Sequence, residues 1–155
     1  MRSRLLGINF SERYEYDNDG RLIKYVWGND KKKEFRGSEV YVCDNNGNKI
    51  EAKGYNAENV LEERSTYRYD ANNNEIEKCT YSAMGELIAK ITRTIFYDKE
   101  ARIKEEHVYD KGMLMLKIIY SYDAFNNIFK EEYHHFKDNG EVEVALSIYD
   151  IQYRK

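Results

Sequence analysis

The sequence predicts an all-β fold: a repetitive antiparallel β-hairpin meander of about 11–12 strands, in an extended or coiled sheet. Three observations predict it. An aromatic residue followed by Asp recurs at a nearly fixed interval, turn signals fall at the half-period, and apolar residues alternate between the turns with period two. The aspartates at 17, 44, 70, 98, 123 and 150 are spaced by 27, 26, 28, 25 and 27 residues. They follow Tyr16, Cys43, Tyr69, Tyr97, Tyr122 and Tyr149, so Cys43 stands in the tyrosine frame. Tyr109-Asp110 is a further pair outside this series. A self-similar period of this length is the mark of a repeat architecture, and residues 1–155 read as a single β-repeat domain.

The turns come first along the chain. Asp17-Asn-Asp-Gly20, Asp44-Asn-Asn-Gly47, Asp70-Ala-Asn-Asn73 and Asp123-Ala-Phe-Asn126 share one plan. The leading Asp accepts hydrogen bonds from the backbone two residues on, and a Gly or Asn three residues later tolerates positive φ. Asp98-Lys-Glu-Ala101 departs from it, because Ala at positive φ carries a steric cost. Half-period turns are expected at Gly28-Asn29-Asp30, Gly54-Tyr55-Asn56, Ser82-Ala83-Met84-Gly85, Asp110-Lys111-Gly112 and Asp138-Asn139-Gly140.

The segments between turns alternate. Leu87, Ala89, Ile91, Ile95 and Tyr97 share one parity, interrupted by Arg93. Leu114, Leu116, Ile118, Tyr120 and Tyr122 repeat the pattern, as do Val142, Val144, Leu146 and Ile148. Period two places such residues on one face of a strand, and Ile, Val, Thr, Tyr and Phe suit a pleated surface. Residues 56–65 admit a short helix as the alternative. The absence of proline agrees with central strands, which cannot lose a ladder donor.

Tyr14-Glu15-Tyr16-Asp17-Asn18-Asp19-Gly20-Arg21-Leu22, with Tyr67-Arg68-Tyr69-Asp70 and Tyr120-Ser121-Tyr122-Asp123, resembles the YD-repeat signature of the RHS-repeat family. The period here is longer than that family's unit, and only the first copy keeps Gly-Arg, so the likeness is to a degenerate relative. The resemblance implies a spiralling β-hairpin sheet, a bacterial surface or secreted location, and a role in shells, binding or adhesion.

Composition bounds the chemistry. The chain carries 25 Lys+Arg against 28 Asp+Glu, a net charge of −3. That balance argues against a nucleic-acid groove, and no apolar run of about 18 residues is present to insert in a membrane. Asp17-Asn18-Asp19-Gly20 offers oxygens to Ca²⁺, but Arg21 and Gly28 hold positions where an EF-hand needs ligands. His107, His134 and His135 lack zinc spacing, and Cys43 and Cys79 read as free thiols in preference to a disulfide. No metal or cofactor is therefore expected. Glu62-Glu63, Glu105-Glu106 and Glu131-Glu132 are adjacent, so each pair splits between two faces. The cluster Asp30-Lys31-Lys32-Lys33-Glu34 reads as a solvated loop.

The chain has 15 Tyr, 6 Phe and Trp27, more aromatics than a narrow core needs. The expected function is a non-enzymatic module that presents a sheet face to a protein or glycan, outside the cell or at its surface. Tyr25, Trp27, Tyr133 and Tyr149 are the candidate contacts, since Tyr and Trp suit stacking on sugars or partners. Two alternatives stand beside it. One is a cytoplasmic immunity-type protein binding a basic toxin, suggested by a pI near 5.7 and the lack of a signal-peptide pattern. The other is a glycan-processing enzyme using Glu105 and Glu131. Terminal strands near residues 5–16 and 141–153 are potential pairing edges and allow a dimer. Glu12, Arg13, Glu141, Glu143 and Arg154 are expected to blunt them.

Overall fold

The structure is a computed structural model that describes residues 11–29 and 34–150. It contains eleven described strands: β1 (Ser11–Tyr16), β2 (Leu22–Asn29), β3 (Glu34–Cys43), β4 (Lys49–Asn56), β5 (Leu61–Tyr69), β6 (Glu75–Ser82), β7 (Leu87–Tyr97), β8 (Ile103–Asp110), β9 (Met113–Tyr122), β10 (Ile128–Phe136) and β11 (Val142–Ile148). They form one sheet in the order β1 to β11, so neighbours in sequence are neighbours in space. The described residues hold no helix. The packing divides into two compact units. The first comprises residues up to Asn74 together with Lys78–Ile88, and the second comprises Glu75–Glu77 and Ala89 onward.

Every Asp turn of the sequence plan forms. Asp17 N donates to Arg21 O at 2.9 Å and Gly20 N donates to Asp17 O at 3.1 Å. The Asp17 side chain closes the loop a second time, its Oδ1 accepting from the backbone N–H of Asp19 and of Arg21 at 2.9 Å each. Asp44, Asp70, Asp98 and Asp123 repeat both halves of this arrangement. The fourth residue of each turn takes the left-handed conformation: Gly20, Gly47, Asn73, Ala101 and Asn126 all have φ between 60° and 86°. The hairpin is thus a tight turn closed by a left-handed residue, with the side chain of its first residue as an internal brace. Ala101, which sequence reasoning marked as costly, is forced to φ 60° by the same frame.

The opposite ends of the strands follow expectation only in part. The turn expected at Gly54-Tyr55-Asn56 lies at Asn56–Val60 instead. Asn56 is the leading residue, its Oδ1 taking the N–H of Glu58 and Val60, while Gly54 sits inside β4. The helix considered for residues 56–65 does not form, because that turn feeds directly into β5. The last turn falls at Asp138-Asn139-Gly140 as expected, closed by Gly140 N donating to Lys137 O at 2.9 Å. Asp110-Lys111-Gly112 is a two-residue connection, with Lys111 at φ 47° and Gly112 at φ 88°. Ser82 leads its turn as expected. Of the turn expected at Gly28-Asn29-Asp30, Gly28 and Asn29 belong to β2 and Asp30 lies outside the described residues, as do Lys31, Lys32 and Lys33 of the lysine cluster, while Glu34 opens β3.

Register slips by one residue close to the Asp turns, between Glu15 and Tyr16, Val42 and Cys43, Phe96 and Tyr97, and Ile128 and Lys130. These bulges reset which face each following residue occupies. Burial is sparse. Among the described residues only Ala52 and Cys79 are buried apolar side chains, and Ser38 and Ser65 are buried polar ones. Ser65 Oγ and Thr80 Oγ1 lie 3.0 Å apart across the β5–β6 pair. All eleven described strands belong to the one sheet, and none of them forms a second layer. Cys43 and Cys79 are free thiols.

The turn geometry sets two opposite outcomes. Gly47→Ala adds a methyl group into open space but at φ 86°, so its cost is that of the backbone alone, about 1 kcal/mol. Ala101→Gly relieves the same strain and raises the thermal midpoint by up to about 2–4 °C, measured by circular dichroism.

Candidate functional site

The side chains that line the sheet are organised by carboxylates. On β10, Glu131 Oε2 accepts the hydroxyl of Tyr133 at 2.5 Å and that of Tyr149 at 2.6 Å. On the same face, Tyr120 donates to Glu106 Oε1 at 2.9 Å, and the register aligns Glu106, Ile118 and Tyr133 in one row. Hydrogen bonds to an ionised carboxylate are short and strong, so these rings are fixed in place. Their protonation follows. The hydroxyls of Tyr133 and then Tyr149 hold the Glu131 carboxyl below its usual value, and Glu131 pushes Tyr133 up to about 12. Burial, then Glu106, raises Tyr120. Tyr149 stays 47% exposed although its backbone N–H is bonded to Phe129 O.

The opposite face of the same strands carries a different set. Glu105 Oε1 lies 2.5 Å from His107 Nε2 and 3.1 Å from Lys117 Nζ. Glu132 meets His134 Nε2 at 2.7 Å and Lys130 Nζ at 3.0 Å. The register places His107, Lys117 and His134 in one row, with Glu105, Ile119 and Glu132 in the next. Glu105 and Glu131 therefore project from opposite faces and do not face each other across a substrate.

In the first unit Tyr25 and Trp27 stand two residues apart on β2 and stack at 5.4 Å, and Tyr14 stacks on Tyr25 at 5.1 Å. Glu12 accepts the hydroxyls of Tyr14 and Tyr25 at 2.6 and 2.9 Å. Those bonds, Tyr14's first, lower the Glu12 carboxyl, and Glu12 raises Tyr14 to about 12. The far side of Trp27 rests on Gly37, where a Cβ would come 2.4 Å from the indole. Tyr25 thus stacks with two rings, and Trp27 is held between Tyr25 and Gly37. Farther along, Tyr41 donates to Glu39, and Lys49 Nζ sits 4.9 Å from the Tyr41 ring and 4.8 Å from the Tyr67 ring. Tyr25 with Trp27 and Tyr133 with Tyr149 are each brought together, one pair in each unit.

The recurring Tyr-Asp pair has a definite role. Tyr69 donates its hydroxyl to Lys49 O at 2.9 Å, and Tyr122 donates to Ile103 O at 2.7 Å. Each acceptor lies five residues past the preceding turn's aspartate. Cys43 makes the weaker equivalent, its Sγ 3.9 Å from Leu22 O. A second position escaped sequence reasoning although it is visible there: the fourth residue past each Asp is Arg21, Asn48, Asn74, Arg102 or Asn127. Arg21 and Arg102 bind their own aspartates through Nε at 2.7 Å. They occupy the Asp17 and Asp98 oxygens where a cation would otherwise sit. Arg102 also reaches Asn126 Oδ1 at 2.7 Å, and Asn48 reaches Asn73 Oδ1 at 2.9 Å, linking one turn to the next. Between the β3–β4 and β5–β6 turns lies an open cleft of about 310 Å³ lined by Asn46, Asn48, Tyr67, Tyr69 and Asn73. No group of three potential metal ligands occurs among the described residues.

No family model matches the chain, and no curated protein matches it. Solved structures similar to it include the following. A protein of unknown function from Bacteroides fragilis NCTC 9343 has 14% identity and a TM-score of 0.41, over 92% of this chain and 94% of that one. A porin-like protein from Bacteroides uniformis ATCC 8492 has 9% identity and a TM-score of 0.41, over 87% of each chain. The TcdB2-TccC3-TEV structure has 12% identity and a TM-score of 0.36; the match covers 79% of this chain and spans 8% of that one.

Two outcomes follow from this geometry. Gly37→Ala forces Trp27 off its seat and costs about 1–3 kcal/mol, with a shift in emission from the chain's one tryptophan. Glu131 contributes stability above the ordinary glutamate value of 4.5, and that contribution is lost as pH falls through its depressed folded value. The stability difference between the wild type and Glu131→Gln, measured by urea unfolding, therefore shrinks on acidification below about pH 4.

Proposed function

We propose that this chain is a non-enzymatic, YD-repeat-like binding module that presents the Tyr120–Tyr133–Tyr149 face of its second unit to a protein or glycan, outside the bacterial cell or at its surface. The observation that carries the reading is Glu131, which holds two tyrosine rings in fixed positions on a face that nothing described covers, with Tyr149 left 47% exposed. Aromatic rings fixed before binding lose little conformational freedom on contact, and a phenol edge offers both apolar surface and a polar atom. The carboxylates of Glu106 and Glu131 add acceptors for sugar hydroxyls or for donors on a protein.

The Tyr-x-Tyr-Asp segments support the likeness to RHS repeats through their local geometry. In two of them the second tyrosine ties its strand end to the preceding hairpin, and the aspartate braces the turn. The separation of Glu105 and Glu131 onto opposite faces favours binding over the glycan-processing alternative.

The test is a glycan array together with affinity capture from surface and lysate fractions, using the wild type and the double variant Tyr133→Ala, Tyr149→Ala. The expected result is retention on one glycan class or one stoichiometric protein, weakened at least about tenfold by the double variant. Thr94→Ala, on the opposite face, leaves it unchanged. Binding that survives the double variant removes this face from the proposal. Capture of one protein that is lost at high salt moves the assignment to a charge-driven partner.

A further inference from the structure

The two ends of the strand order are unlike. β1 carries Glu12, Arg13 and Glu15 among six residues, which is the usual guard on an open edge. β11 carries one charged residue, Glu143, among seven. The other edge charges that the sequence suggested fall outside the strand: Glu141 lies in the preceding turn, and Arg154 lies outside the described residues. Among the described residues β11 has a strand partner on its β10 side only. Its even positions Val142, Val144, Leu146 and Ile148 form one row, exposed by 48, 53, 56 and 73%. The strand's register with β10 is unbroken from Phe136–Val142 to Lys130–Ile148, with the Tyr149 N–H bonded to Phe129 O just beyond.

From this we infer that β11 is a self-pairing edge, and that two copies of the chain join through an antiparallel β11–β11 ladder about a two-fold axis at Ala145. The occupant follows from the register. The antiparallel alignment that pairs all of Val142–Ile148 sets Ala145 of one copy opposite Ala145 of the other. It then sets Val142 opposite Ile148 and Val144 opposite Leu146, apolar against apolar on one face. Glu143 meets Ser147, so no like charges oppose each other. A two-fold axis perpendicular to the sheet keeps both apolar rows on the same side, as an isologous dimer requires. The same operation satisfies the outward-facing backbone groups of both edges. A seven-residue edge is small for a specific interface, so the dimer dissociates in about the micromolar range.

The test is sedimentation equilibrium from about 1 to 500 µM, with a cross-linking arm. The wild type is expected to shift from monomer to dimer across this range, and Val144→Lys, which sets a lysine against Leu146 of the other copy, to remain monomeric with unchanged circular dichroism. Opposed Cα atoms in an antiparallel ladder lie within disulfide reach. Ala145→Cys is therefore expected to form an inter-chain 145–145 disulfide at least about tenfold faster than Glu143→Cys, whose counterpart is four residues away along the ladder. Mass spectrometry separates that bond from the native thiols Cys43 and Cys79. A chain that is monomeric throughout, equal cross-linking by the two cysteine variants, or a dimer that Val144→Lys leaves intact overturns the inference. So does a cross-link from Ala145→Cys to Tyr14→Cys in a mixture of the two variants, which places β1 against β11 instead.

Discussion

The constraint on which the structure depends is that all the described strands lie in one sheet. With only two apolar side chains buried among the described residues, strands cannot be positioned by a shared core. Each is held by its two neighbours, through ladder hydrogen bonds and through side chains that meet on the same face. Errors in register would therefore propagate from strand to strand unless each hairpin fixed its own alignment. The braced Asp turn does this locally. Its backbone closure, the two side-chain bonds to Asp Oδ1 and the left-handed fourth residue together leave one alignment for the strands that follow.

The same constraint explains the distribution of tyrosine and glutamate. A tyrosine on an uncovered face gains only partial burial, so its hydroxyl is used as a tether. Some tethers reach the backbone of the previous hairpin, as from Tyr69 to Lys49 and from Tyr122 to Ile103. Others reach a carboxylate two residues before on the same strand or diagonally across on the neighbouring one, as from Tyr133 to Glu131 and from Tyr25 to Glu12. The ammonium of Lys49 and the guanidinium of Arg102 lie over the rings of Tyr41 and Tyr122 and hold those rings without a core. Structural tethering and binding readiness then have one cause, because a ring fixed on an open face is available to a partner at little further entropic cost.

Turn by turn, the sequence was most legible where chemistry is local. Asp17, Asp44, Asp70, Asp98 and Asp123 all start hairpins, because Asx bonding and a left-handed fourth residue require only five consecutive residues. Where the leading residue was Asn56, Ser82 or Lys137 the same backbone closure formed, but the signal was weaker, and the turn led by Asn56 lay two residues or so beyond the expected place. Cys43 could be placed in the tyrosine frame from spacing, but its thiol bond to Leu22 O could not. The Arg or Asn at the fourth position past each Asp was present in the sequence all along, and its meaning emerged only when it was seen to bind both its own turn and the next.

The sequence by itself determined that this is an antiparallel meander of short strands, and where most of its turns fall, because period-two patterning and turn chemistry act within a few residues. The tertiary structure decided which side chains share a face. Bulges beside the Asp turns shift parity by one, and a one-residue shift exchanges the two faces of a strand. The bulge between Ile128 and Lys130 sets Glu131 opposite Tyr120, on the face away from Glu105, while the unbroken β10–β11 register brings Tyr133 and Tyr149 to one carboxylate and the β2–β3 register sets Trp27 opposite Gly37. Those meetings join residues 10 or more apart in sequence through cross-strand register, which no local signal specifies.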